Sequence, residues 1–161
     1  MTWHLHGSLP KSLYPEPSNT NAGKAFVWVD RCLDTARTGP MYLRMPEVAE
    51  LIVSALRSGH EDHMYELRAW ALMPNHVHVL FSPHEKPQVI LRRLKGSTAR
   101  KANLLLGRAG QPFWQTESYD HLVMNPSELE NIVAYIEHNP VKAGLAASSS
   151  EYRWCSAWTP D

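Results

Sequence analysis

Two histidines separated by one residue, His76-Val77-His78, are the side chains in this sequence best suited to chemistry. On a β-strand, residues i and i+2 face the same side, so both imidazoles project together while Val77 and Val79 face the other way. Their Cα atoms would stand roughly 7 Å apart by strand rise, close enough for both rings to converge on one divalent cation. The same spacing also fits a polar strand face with two exposed histidines. His4-Leu5-His6 repeats it without any supporting residue and reads as an exposed pair at the chain start. Two histidines rarely complete a coordination sphere, so a metal site needs a further ligand. Tyr135 and Asn139 lie four residues apart and so share one face of a helix. Asn139 can turn its amide toward a neighbouring site, although the pair also suits a core aromatic and an ordinary residue before proline. A phenol, with an ordinary pKa of about 10, becomes a useful nucleophile only beside a base or a charge. A metal that polarises a phosphoryl oxygen lowers the barrier to such an attack. Two imidazoles, one amide and one tyrosine therefore suggest attack on a phosphodiester. The product would be a phosphotyrosine, the leaving group a 3′-hydroxyl, and the retained bond energy would permit rejoining.

These residues must be placed by elements that proline and glycine divide clearly. TWHLH alternates and predicts a short strand, and residues 11–23, with two prolines and a run of Ser, Asn and Thr, predict a loop. AFVWVDRCLDTA fits either a strand or a helix, with the helix preferred. Pro46 and Glu47 open a helix carrying Val48, Leu51, Ile52 and Leu56, with Gly59 as its stop signal. Two strands, Met64–Met73 and His76–Ser82, are separated only by Pro74-Asn75, which indicates an antiparallel hairpin. A basic helix spans residues 88–106, with Arg92, Arg93, Lys95, Arg100 and Lys101 and no acid. Its charges can track a phosphate backbone or form a solvated helix face. FWQTESYDHLVM predicts a last strand. Asn125-Pro126-Ser127-Glu128 is a helix start of cap, first-turn proline and box glutamate. Pro140 should end that helix near Asn139. The order β-α-α-β-β-α-β-α, closed by a polar tail over residues 146–161, predicts an α+β fold.

Composition narrows the class further. A length of 161 residues suits one domain, and 43% hydrophobic with 20% charged residues is ordinary for a globular chain. Sixteen basic and sixteen acidic residues cancel, which excludes a generally basic coat but not a local patch. No apolar run approaches the roughly 18 residues of a membrane span, and MTWHLHGSLP is not a secretion signal, so a cytoplasmic location without membrane contact is expected. Cys32 and Cys155 are too few for a disulfide framework and too far apart for a zinc ribbon.

Taken in order, several stretches resemble the REP-associated tyrosine transposases of the HUH superfamily of single-strand DNA nucleases. AWALMPNHVHVLF resembles their strand-turn-strand with paired histidines. PFWQTESYDHLVMN resembles their W-Q-x-x-x-Y/F-D-H/R segment. AYIEHNPVKAGL, followed by EYRWCSAW, resembles their Y-I-x-x-N-P-V-K-A-G-L and Y-x-W-S-S patterns, with Cys155 where the first serine stands. LPKSL and YLRMPEVAELIVSAL also fit, so the likeness spans most of the chain.

The resemblance implies a single ferredoxin-like sandwich over residues 1–161, an antiparallel sheet with helices packed on it. It implies His76 and His78 as a metal pair, Asn139 as a further ligand, Mg²⁺ or Mn²⁺ as cofactor, and Tyr135 as nucleophile. Tyr119 is the rival nucleophile, and His121 a candidate to steady the phosphate or a water. Trp114 and Tyr119 are candidates to stack on unpaired bases. The implied activity is a metal-dependent transposase or endonuclease acting on single-stranded or hairpin DNA through a 5′-phosphotyrosine intermediate, as monomer or homodimer, in the handling of repeat elements. Two alternatives stand beside it. A non-catalytic module that binds DNA or RNA hairpins would suit the neutral charge and the short tail. A metal hydrolase using a water would need an acidic group near the histidines, and the sequence does not identify one.

Overall fold

A computed structural model describes residues 1–9, 22–36 and 38–160, with nothing stated of the side chains of residues 22–27. Residues 11–21 of the predicted 11–23 loop and most of LPKSL therefore lie outside the described residues, while residues 22–23, expected in the loop, already belong to a helix. The chain runs β1 (Thr2–Leu5), α1 (Ala22–Thr35), α2 (Pro46–Glu61), β2 (Tyr65–Leu72), β3 (His76–Pro83), α3 (Pro87–Leu105), β4 (Trp114–Tyr119) and α4 (Pro126–Lys142). Short 3-10 turns occupy Tyr42–Arg44 and Ser149–Glu151. The ambiguous AFVWVDRCLDTA stretch is helical, as preferred, and the predicted element order is observed.

The four strands form one sheet in the order β2-β3-β1-β4, with every neighbouring pair antiparallel. A central β1–β3 pair flanked by β2 and β4 is the arrangement of the ferredoxin-like α+β sandwich. β2 and β3 join through a tight turn in which the Met73 amide donates to the His76 carbonyl at 2.9 Å.

Strand alternation divides the hydrophobic residues between two faces. Trp3, Val77 and Val79 join α2 and α3 residues such as Ile52, Leu56, Ile90 and Leu94 in the larger core. On the other face, Ala69, Ala71, Met73 and Leu80 meet Ile136 of α4 and Cys155. His76 and His78 share that second face, and both are buried. So is His4, which lies directly opposite His76 across the β1–β3 ladder. The expectation of an exposed histidine pair at the chain start is thus wrong for His4, because cross-strand partners share a face. His6 is exposed.

Two helix ends also differ from expectation. α2 passes through Gly59 to Glu61. A Cβ at Gly59 would overlap the Tyr65 phenol, whose hydroxyl donates to the Leu56 carbonyl at 2.8 Å, so this glycine serves close packing. α4 passes through Pro140 to Lys142. Proline there removes one intrahelical hydrogen bond near the helix end, and its ring is buried, which offsets part of the cost. The start of α4 follows expectation, since Asn125 Oδ1 accepts from the Glu128 amide at 2.9 Å.

The predicted tail folds back along β2. The Leu72 amide donates to Trp154 O, the Ser156 amide to Trp70 O, and Ala71 bridges to Cys155. Among the described residues, no helix is long and apolar enough to cross a membrane.

Candidate metal and tyrosine centre

Four elements converge on the histidine pair. β3 presents His76 and His78 toward α1 and α4, and their Nε2 atoms stand 3.0 Å apart with the rings nearly perpendicular. Each ring is oriented through its other nitrogen, because Asn75 Oδ1 lies 2.6 Å from His76 Nδ1 and Thr2 Oγ1 lies 2.8 Å from His78 Nδ1. Asn75 is itself anchored, its Nδ2 donating to the Leu33 carbonyl of α1 at 3.0 Å. If each Nδ1 carries the proton, both Nε2 lone pairs point into the same small space.

α1 supplies two carboxylates that sequence reasoning missed. Asp30 is buried, with Oδ1 3.0 Å from His78 Nε2 and 3.6 Å from His76 Nε2. Asp34 Oδ1 lies 3.7 Å from His76 Nε2. The signal was present in the sequence, since Phe26, Asp30, Leu33 and Asp34 fall on one helical stripe and an acid within an apolar stripe marks a buried polar site.

α4 supplies the rest. Tyr135, Asn139 and Lys142 are spaced i, i+4 and i+7 and so share a face. The Tyr135 hydroxyl donates to Asp30 Oδ2, and its ring stands edge-on to His78 with centroids 6.1 Å apart. Asn139 is fully buried against the phenol, and neither its oxygen nor its nitrogen makes a hydrogen bond of good geometry. Lys142 Nζ lies 3.1 Å from Asp34 Oδ2, 3.8 Å from Asp30 Oδ2 and 5.5 Å from the Tyr135 ring centroid. It reaches the site only because α4 continues past Pro140.

The electrostatics follow from burial and proximity. Burial pushes the Asp30 carboxyl up, but the hydrogen bond from His78, the charges of His78 and His76, and the Tyr135 phenol together hold it below the usual carboxylate range. Burial and the Asp30 charge push Asp34 up, against the pull of Lys142. Burial, then the neighbouring His78, hold His76 well below the usual histidine value. Burial and the hydrogen bond to anionic Asp30 raise the Tyr135 phenol far above its ordinary value.

The donor set fits a divalent cation. Asp30, His76 and His78 each offer one ligand atom, all within 4.8 Å of one another and all buried. Buried polar atoms without partners are rare in folded proteins. Here Asp34 Oδ1 and both side-chain polar atoms of Asn139 lack a hydrogen bond, while Asp30 Oδ1 faces the two imidazole Nε2 atoms. A cation would satisfy the oxygens among them while neutralising the two carboxylates.

The other predicted residues divide. Tyr119 and His121 line a cleft together with His78 and Tyr135. His121 Nε2 lies 2.7 Å from Glu128 Oε1. Trp114 is buried and donates to Thr98 Oγ1 at 2.9 Å, so it is a core residue and not an open stacking surface. The basic residues of α3 lie across the sheet from the histidines, because α3 packs on the Val77 and Val79 face. Lys95 is occupied there, its ammonium donating to the Gln115 and Thr116 carbonyls of β4, and Arg93 pairs with Glu85 at 2.8 Å.

The chain is 24% identical over 106 residues to a REP-associated tyrosine transposase of Escherichia coli (strain K12). That match covers 64% of this chain and 61% of the relative, so the chain spans about three-fifths of the curated protein it matches. Among solved structures, a REP-associated tyrosine transposase bound to a REP hairpin superposes with a TM-score of 0.61 over 99% of this chain and 83% of that one, at 16% identity, which shows a shared fold. The family described as "Transposase IS200 like" matches residues 42–139, a span that holds His76, His78, Tyr135 and Asn139 but neither Asp30 nor Asp34. With more than half of its length matched, the chain belongs to the IS200-like transposase family.

Proposed function

We propose that this protein is a metal-dependent endonuclease of transposase type that cuts single-stranded or hairpin DNA through a covalent 5′-phosphotyrosine on Tyr135. The observation that carries this reading is the hydrogen bond from the Tyr135 phenol to Asp30, a residue that also belongs to the His76–His78 cluster. His76, His78 and Asp30, with Asn139 beside them, would hold Mg²⁺ or Mn²⁺, and two imidazoles with oxygen donors suit either ion. When bound, the ion supplies Lewis-acid polarisation of the scissile phosphate.

The chain's own residues supply the remaining chemistry. Asp30 Oδ2 aligns the phenol, whose proton passes to solvent as Tyr135 Oη forms the bond to phosphorus. The bond from phosphorus to the 3′-oxygen breaks, and that oxygen leaves as a 3′-hydroxyl after taking a proton from solvent. Rejoining is the reverse step with another 3′-hydroxyl. Lys142 lies close enough to the phenol to favour negative charge on it during attack. The DNA partner is supported by the hairpin bound to the structurally similar transposase. Because α3 faces away from the cluster, phosphates met by Arg92, Arg100 or Lys101 belong to a part of the DNA remote from the scissile bond.

The acidic pair also revives the hydrolase reading, since Asp30 and Asp34 place carboxylates beside the histidines. The two chemistries part at the intermediate. A labelled DNA hairpin incubated with Mn²⁺ should yield a protein–DNA adduct that survives SDS. Tyr135→Phe and His76→Ala should abolish it, and Tyr119→Phe should retain it. Cleavage without any adduct would establish activated water instead, and loss with Tyr119→Phe alone would move the nucleophile to β4.

A further inference from the structure

We propose that the cleft beside Tyr135 is a base pocket, and that it receives the unpaired nucleobase of a nucleotide adjoining the scissile phosphate. This rests on the phosphotyrosine reading and adds to it the feature of the substrate that is recognised.

The cleft has a volume of about 320 Å³. That lies at the small end of the roughly 300–1,000 Å³ typical of ligand pockets and is ample room for one base. Two of its lining residues, His78 and Tyr135, are also members of the metal and tyrosine cluster. A phosphate held at Tyr135 Oη therefore carries its neighbouring nucleotide to the mouth of this space. The walls suit a flat apolar ring, with Leu80, Ile132 and Ile136 offering aliphatic surface and Tyr119 an aromatic one. Base stacking on such side chains tolerates any sequence because every base has a π-face.

On the side of the cleft away from the metal cluster, one polar pair can meet the edge of a base. His121 and Glu128 both line the cleft and are joined at 2.7 Å. Glu128 is held in place by its other oxygen, which accepts from the Met124 amide at 2.6 Å, and by its position at the start of α4. A carboxylate oxygen has more than one lone pair, so Glu128 can still accept from a base edge while His121 presents a ring nitrogen beside it. Leu122 and Met124, strongly exposed in the same segment, add apolar surface next to that pair. Duplex DNA would have to flip a base out of its stack to use such a cleft, at a cost of about a few kcal/mol. The pocket thus selects for a single-stranded cleavage site.

The test uses wild-type protein and a set of hairpins in which one nucleotide at a time, on either side of the cleavage position, is made abasic or replaced by 2-aminopurine. With Mn²⁺, removal of the base at one flanking position should slow adduct formation about ten-fold or more, the scale of a lost stacking contact. With the metal chelated, 2-aminopurine at that same position should be quenched on binding. Val123→Trp, on the loop edge of the cleft, should abolish both effects and weaken hairpin binding no more than removal of the flanking base does. His121→Ala, which spares the apolar walls, should retain the quenching and flatten any preference among the four bases. Equal adduct rates for intact and abasic hairpins, or no quenching at either flanking position, would overturn the pocket. Quenching that Val123→Trp abolishes, in a protein that forms no adduct with any hairpin, would uphold the pocket and refute the phosphotyrosine reading.

Discussion

Asp30→Asn keeps the shape of the side chain and removes its charge, and it separates the two tasks assigned to this residue. Without metal, the folded protein favours the charged carboxylate, because its pKa is held below the ordinary range by His78, His76 and Tyr135 despite burial. Removing one member of a buried pair costs about 3–5 kcal/mol, so the metal-free variant should be destabilised. Asp34→Asn offers the contrast, since burial and Asp30 push that carboxyl up and a neutral amide should leave metal-free stability unchanged or higher. With metal the reasoning turns on linkage. At a free Mn²⁺ concentration of 100 times its Kd, binding to the native state adds about 2.7 kcal/mol. For a domain of this size each kcal/mol moves Tm by about 2–4 °C, which gives a rise of roughly 5–11 °C for the wild type. Loss of a direct anionic ligand should weaken binding by at least the 10–100-fold known for residues behind the ligands. At 100-fold, the same Mn²⁺ concentration adds only about 0.4 kcal/mol, and the rise shrinks to roughly 1–2 °C. The assay is thermal unfolding across a Mn²⁺ titration, with the metal-free Tm of each variant as its own baseline. A wild-type rise retained in Asp30→Asn would refute Asp30 as a ligand.

Other expectations are independent of that experiment. Gly59→Ala, ordinarily stabilising by about 1 kcal/mol inside a helix, should here destabilise by about 2 kcal/mol or more, because the new methyl meets the Tyr65 ring; urea unfolding measures it. Burial pushes the Tyr65 phenol up to about 12, so its contribution is fully present below its unfolded value near 10 and is lost as the pH rises toward 12. Tyr65→Phe should accordingly flatten the fall in Tm between about pH 10 and 12. Lys142→Met should slow adduct formation at saturating hairpin while leaving the dissociation constant unchanged, which single-turnover kinetics against a binding titration would resolve. A proportionate loss of hairpin affinity would assign Lys142 to binding instead.

Much of this protein was legible along the chain because the relevant signals are local. Strand alternation around His76-Val77-His78 set which residues share a face, and the structure keeps Val77 and Val79 in the larger core with both imidazoles on the reverse. The Asn125-Pro126-Ser127-Glu128 cap placed the start of α4, and the i, i+4 spacing of Tyr135 and Asn139 put them on one face before any fold was known. Where an outcome depended on what packs against a residue, tertiary structure decided it. Gly59 looked like a stop signal, but Tyr65 folds back onto it and requires the missing side chain. Pro140 looked like the end of a helix, but its buried ring offsets a lost hydrogen bond, and the extra turn carries Lys142 to the site. His4 looked exposed until β1 paired with β3. Asp30 and Asp34 stand more than 40 residues before the histidines, and no local rule relates the two stretches. α1 must lie across the sheet before the low-dielectric interior brings two carboxylates, two imidazoles and a phenol within bonding distance. Local periodicity decides which way a side chain points, and only long-range packing decides what it meets there.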